Sequence, residues 1–221
     1  MKINIITIFP DFFEASFAYS ILKRAKEKKL IEVNIYNLRD WSKDRYKTID
    51  DHPYGGGAGM IMMIQPIYDS LKFLNFPKNV VLPSAKGQVY NQSLAMKFSK
   101  LDEMTFIVPH FEGIDQRVID EFVDFEVSVG PYILSGGELP VMSIIDSFTR
   151  LLPGVLGNPK SLEEESFNNY VEISNKDVYL EYDQYTRPQS FVLDNGKILA
   201  VPDVLVSGNH KDILNWKKGI K

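Results

Sequence analysis

Three glycine-bearing turns each follow directly on an apolar β-type run, and this arrangement restricts the fold more than any other feature of the chain. The runs are residues 80–82, 104–108 and 125–129. The turns are Ser84-Ala85-Lys86-Gly87, His110-Phe111-Glu112-Gly113-Ile114-Asp115, and the stretch 128–140, Ser-Val-Gly-Pro-Tyr-Ile-Leu-Ser-Gly-Gly-Glu-Leu-Pro. Strand ends with turns that expose backbone predict one crevice at the carboxyl edge of a parallel sheet. Within the third turn, Gly136 and Gly137 lack a Cβ and are expected to take positive φ and lie flat against a ligand. Ser128, Gly130, Tyr132 and Leu134 offer main-chain hydrogen bonds, and Tyr132 and Leu134 add apolar surface for a flat ring. Pro140 suits the first turn of a helix, expected to run to about residue 152 with Val141, Ile144, Ile145, Phe148, Leu151 and Leu152 on one stripe. Taken alone, Ser-Gly-Gly reads equally well as a tight turn between strand and helix.

The rest of the chain supports the parallel sheet. Residues 2–8 read as a strand, followed by a helix capped at Asp11, with Phe13, Phe17 and Ile21 four apart. That helix ends in Lys23, Arg24, Lys26, Lys28 and Lys29, cations that complement the carboxyl end of the helix dipole and also form a possible RNA patch. Strands at 31–38, 80–82, 104–108 and 125–129 alternate with helices at 64–73, 91–101 and 114–122, the pattern of an α/β fold. Residues 39–60 form a long loop whose glycine cluster lacks both the Lys-Ser/Thr of a phosphate-binding loop and the Gly-x-Gly-x-x-Gly of dinucleotide folds. The expected domains are an α/β domain over 1–157, a linker over 158–171 containing Glu163-Glu164-Glu165, and a small, mostly helical domain over 172–221. The last helix is expected to be capped at Asn209, with His210 near its start.

Composition narrows the function. With 221 residues, 44% of them hydrophobic, there is material for one sizeable core and a small appended domain. No cysteine is present, and His52, His110 and His210 are far apart, so no metal site is expected. The apolar run at 1–9 meets Pro10-Asp11 too early for a signal peptide and no run approaches a membrane span, so a cytosolic protein is expected. A net charge of −4 means that a nucleic acid would be held by local basic groups. Those singled out are Lys43, Arg45, Lys47, Arg187, Lys211, Lys217 and Lys218, each of which alone is also an ordinary solvated charge.

Six segments carry a family likeness: Pro53 to Met60 (PYGGGAGM), Glu112 to Val118 (EGIDQRV), Leu134 to Pro140 (LSGGELP), Pro153 to Gly157 (PGVLG), Tyr185 to Pro188 (YTRP) and Leu205 to His210 (LVSGNH). In this order they closely resemble the bacterial tRNA (guanine37-N1)-methyltransferases, the TrmD-type family of the SPOUT class. The resemblance implies a SPOUT-type sheet with a deep trefoil knot, a homodimer, tRNA as substrate and S-adenosylmethionine as cofactor. It assigns Leu82, Pro83, Ser84 and Gly87 to the first knot loop, and Pro109, Glu112 and Gly113 to the second. Ser128, Val129, Gly130, Tyr132, Leu134, Gly136, Gly137 and Pro140 fall in the third. It also implies that Arg150 acts on the guanine and that Glu165 stands at the position of the family's catalytic aspartate, with Glu164 as the neighbouring alternative. It implies no protein partner beyond the second subunit. A divalent ion such as Mg2+ is compatible with the chemistry but leaves no signature in the sequence.

The chemistry implied is proton removal from guanine N1 by a carboxylate, with a cation stabilising charge on O6. The sequence departs from the family's usual pattern at Glu165 (aspartate), His110 (arginine), Phe111 (tyrosine), Lys86 (glutamine) and Pro131 (aspartate), and the segment between Phe167 and Tyr185 is longer. Rival readings are a SPOUT methyltransferase for another RNA position and an inactive RNA-binding homologue. A hydride-transferring enzyme lacks its glycine fingerprint here.

Overall fold

The computed structural model describes residues 1–158, 166–167 and 181–217. The chain divides into two compact units, Met1–Pro159 and Lys160–Lys221.

The first unit is built on five parallel strands, β1 (Lys2–Thr7), β2 (Glu32–Asn37), β5 (Val80–Val89), β6 (Glu103–Ile107) and β7 (Phe125–Ser128), in the order β2-β1-β6-β5-β7. Alternation sorts their side chains into two cores. Ile3, Ile5, Val81, Met104 and Phe106 point to a face covered by helices α1 (Pro10–Ser16), α2 (Ser20–Glu27), α4 (Gln92–Phe98) and α6 (Glu138–Thr149). Ile6, Val80, Leu82 and Ile107 point to the other, covered by α3 (Ile64–Phe73) and α5 (Gln116–Phe122). Helices on both faces bury nearly all of β1 and β6 and the first four residues of β5, which is why those stretches read as almost continuous apolar runs. Asn4 is fully buried in β1, and its amide donates to Glu103 at 2.8 Å and to Thr105 at 3.2 Å.

The expected first helix is two. The Ser16 hydroxyl bonds back to the carbonyl of Phe12 at the end of α1, and Ser20 opens α2 with φ 51°, outside helical space. Phe13 and Phe17 still reach the same core and Ile21 packs against it, so the four-residue spacing identified the face and not the continuity. Asp11 is not the cap: Phe9 holds that position, Pro10 takes the first turn, and Asp11 adds favourable charge there. α4 is shorter than expected and is capped by Asn91, whose side chain accepts from Leu94 N. α6 ends at Thr149, with Arg150 as its C-cap.

The largest departure is in β5. It pairs with β7 through Pro83↔Val127, loops out over four residues, and rejoins at Gln88↔Val127 and Val89↔Ser128. The first turn is therefore an excursion within a strand. Between β2 and α3, a 3-10 turn at Leu38–Trp41 leads to a short antiparallel ribbon of β3 (Asp50–Asp51) and β4 (Ile61–Met62).

In the second unit, β8 (Ser190–Val192) and β9 (Ile198–Ala200) form an antiparallel hairpin in a segment expected to be mostly helical. Two short helices follow, α7 (Asp203–Val206) and α8 (His210–Lys217). Asn209 caps α8 as expected, its side chain accepting from Lys211 N at 3.1 Å.

Candidate functional site

The carboxyl ends of β6 and β7 and the excursion within β5, which lies between them in the sheet, open on a cavity of about 320 Å³. Its walls are the three turns. Leu82, Pro83 and Ser84 come from the first, Pro109, Glu112 and Gly113 from the second, and Ser128, Val129, Gly130, Tyr132, Leu134, Gly136 and Gly137 from the third, with Pro140 from α6. The size is that of a small-molecule site.

The second and third turns are tied to each other by main-chain contacts. Gly137 N donates to Pro109 O at 2.7 Å, and His110 and Gly136 form an isolated antiparallel bridge. Neither Gly136 nor Gly137 takes the positive φ expected of it; Gly137 sits at −84°. Both are required for close approach instead. A Cβ on Gly137 would strike the Pro109 ring, and one on Gly136 would strike His110 and Glu138. The second turn is anchored on its other side as well. Met62 N donates to Gly113 O at 3.0 Å, Glu112 N to Met60 O at 3.1 Å, and the Glu112 side chain lies against Gly59. The glycine-rich loop is thereby docked beside the cavity. Asp115 caps α5 and accepts from the Arg117 guanidinium at 2.6 Å, which holds its carboxyl below the usual carboxylate range.

Gly87 is the one predicted cofactor contact that does not line the cavity. It packs against the backbone of Glu126 and Val127, where β5 rejoins β7. Lining residues not among the predicted cofactor contacts include Lys86, Glu126, Gln116 and Ile119. The last two lie three apart on α5, a helical spacing that could have flagged them. Among the described residues, no group of three or more His, Cys, Asp or Glu side chains gathers to hold a metal ion. No described helix is long and apolar enough to cross a membrane.

Arg150 stands apart from the cavity. It lies twelve positions beyond Glu138 along α6, about 18 Å at 1.5 Å per residue. Glu165, Glu164 and Lys218 lie outside the described residues. Of the basic residues singled out, Lys43 pairs with Asp69 at 3.4 Å and Lys47 with Asp40 at 3.1 Å, while Arg45 stacks on the Tyr46 ring. Arg187 and Lys211 are exposed in the second unit, where Lys217 lies over the Tyr182 ring at 4.4 Å.

Comparison with known proteins agrees with this geometry. The family model for tRNA (guanine-1)-methyltransferase TrmD matches residues 1–221. A protein of Clostridioides difficile (strain 630) named tRNA (guanine-N(1)-)-methyltransferase is 48% identical over 223 residues, covering 99% of this chain and 91% of its own. Proteins of the same name from Alkaliphilus metalliredigens (strain QYMF) and Caldanaerobacter subterraneus subsp. tengcongensis are 47% and 44% identical, each over 99% of this chain and 85% and 86% of their own.

Proposed function

The chain belongs to the tRNA (guanine-1)-methyltransferase family, and we propose that it transfers a methyl group from S-adenosylmethionine to N1 of guanine 37, beside the anticodon of tRNA. The observation that carries this reading is the cavity walled by three turns on consecutive strands of the sheet, the second and third of them bonded to each other. Its residues fit the cofactor. Main-chain groups of the turns suit the edge of a purine, Tyr132 and Leu134 its face, and the carboxylates of Glu112 and Glu126 suit a cationic ligand.

S-adenosylmethionine supplies an electrophilic methyl group on a sulfonium. The protein must then remove the proton that guanine N1 carries at neutral pH as the new bond forms. Glu165 takes that role in this reading, and Arg150 offsets charge developing on O6. Arg150 lies too far along α6 to reach the cavity of its own subunit, which favours a homodimer in which a second copy completes the site. The same reading includes a deep trefoil knot through the three turns, a tRNA held partly by Lys43, Arg45, Lys47, Arg187 and Lys211, and a cytosolic location.

The test is methyl transfer from labelled S-adenosylmethionine to unmodified tRNA transcripts bearing guanine 37, against transcripts changed only at that base. Incorporation that needs this guanine and maps to N1 is the expected result. Binding of S-adenosylmethionine without incorporation would overturn the assignment of substrate.

A further inference from the structure

Beside the cavity, two buried polar atoms face each other. Nδ1 of His110 and Oε1 of Glu138 stand 3.4 Å apart, both are shut off from water, and neither has a hydrogen-bond partner. His110 belongs to the second turn and lines the cavity, whereas Glu138 opens α6 directly after the third. The imidazole is set between two rings, with Phe9 edge-on at 5.2 Å and Phe111 at 5.1 Å. Gly136 lies between the two side chains, and a Cβ there would collide with Nδ1 and with the Glu138 carboxylate. The missing side chain is therefore what lets the pair meet.

A buried polar atom without a partner is unfavourable, and native structures keep few of them. Here a potential donor and an acceptor are matched, and N–H···O bonds span about 2.7–3.2 Å, so closure by about half an ångström completes the bond. The backbones on either side are already joined by the His110–Gly136 bridge and the Gly137–Pro109 bond.

We propose that His110 and Glu138 form a positioning latch: Nδ1–H of His110 donates to Oε1 of Glu138, locks the second turn onto the start of α6, and fixes the Gly136-Gly137 wall at the spacing the methyl donor requires. This rests on the reading of the cavity as the S-adenosylmethionine site. The latch acts through the wall and takes no part in the methyl transfer.

The experiment combines calorimetric titration of the full-length protein with S-adenosylmethionine and nitrogen-15 NMR of the His110 ring without it. His110→Ala and Glu138→Ala should each weaken binding on the order of tenfold, with the double variant no weaker than the worse single variant. His110→Asn presents an amide N–H in the place of Nδ1–H and should stay within about threefold of the parent. The NMR signal should show a proton on Nδ1 that Glu138→Ala abolishes. Additive losses, unchanged affinity in both single variants, or an unprotonated Nδ1 in the parent would overturn the latch. Failure of the parent to bind S-adenosylmethionine would instead overturn the reading of the cavity, and the ring spectrum would still decide the pair.

Discussion

The backbone N–H of Gly137 donates to the carbonyl of Pro109 at 2.7 Å, and the Pro109 ring occupies the space that any side chain at 137 would need. One contact thus joins the ends of two strands, β6 and β7, that are not neighbours in the sheet. Gly137→Ala should destabilise the protein by about 1–3 kcal/mol through overpacking. It should also weaken S-adenosylmethionine binding more than it lowers the melting temperature would suggest, because the strain falls on the cavity wall. Thermal unfolding and ligand titration of the same preparation check both.

Gly87 makes the contrasting case. Its Cβ would fall 2.5 Å from the carbonyl carbon of Glu126, and backbone cannot swing aside as a flexible side chain can. Gly87→Ala should cost about 1–3 kcal/mol in urea unfolding by prising β5 from β7. Gly157→Ala, where nothing lies within 4 Å, should change stability by no more than about 0.5 kcal/mol.

Tyr90 follows β5, and its hydroxyl meets Ser147 at 2.6 Å on α6. Burial pushes its phenol from 10.0 up to about 12. The unfolded chain therefore releases this proton first, so the contribution is intact below pH 10 and is lost as pH rises towards 12. Tyr90→Phe should flatten that alkaline decline while costing about 1 kcal/mol at neutral pH for the lost hydrogen bond. Unfolding curves between neutral and strongly alkaline pH would show the crossing.

Among the basic residues of the long loop, Lys43 and Lys47 already face Asp69 and Asp40, whereas Arg45 has no carboxylate within salt-bridge distance among the described residues. If the loop meets tRNA phosphates, Arg45→Ala should weaken binding more than either lysine variant and reduce the slope of log affinity against log salt by about 1. Filter binding across a salt series measures both.

For the chemical step, Glu165→Gln should leave S-adenosylmethionine binding near that of the parent and lower single-turnover methylation by about 10²–10⁴-fold. Arg150→Ala should lower it by about 10²–10³-fold. Because α6 carries Arg150 away from the cavity, mixing Arg150→Ala subunits with subunits defective in the cavity should restore part of the activity, with a parent-like site formed in mixed dimers. Absence of recovery in such mixtures would place the arginine's action elsewhere.

The sequence alone determined the parallel α/β class and the three turns that wall the cavity. These are properties of local periodicity and of glycine placed directly after apolar runs, and each is written within a few residues of chain. The cap at Asn209 was legible for the same reason. Only the tertiary structure decided why Gly136 and Gly137 are glycine: the requirement comes from Pro109, His110 and Glu138 crowding against them, not from their own φ angles. It likewise packed Gly87 against the backbone of Glu126 and Val127, broke the first helix at Ser20, and set Arg150 a helix length from the cavity. In each case the deciding atoms belong to residues brought near by folding, and a pattern of neighbours along the chain carries no record of how closely two distant backbones will approach.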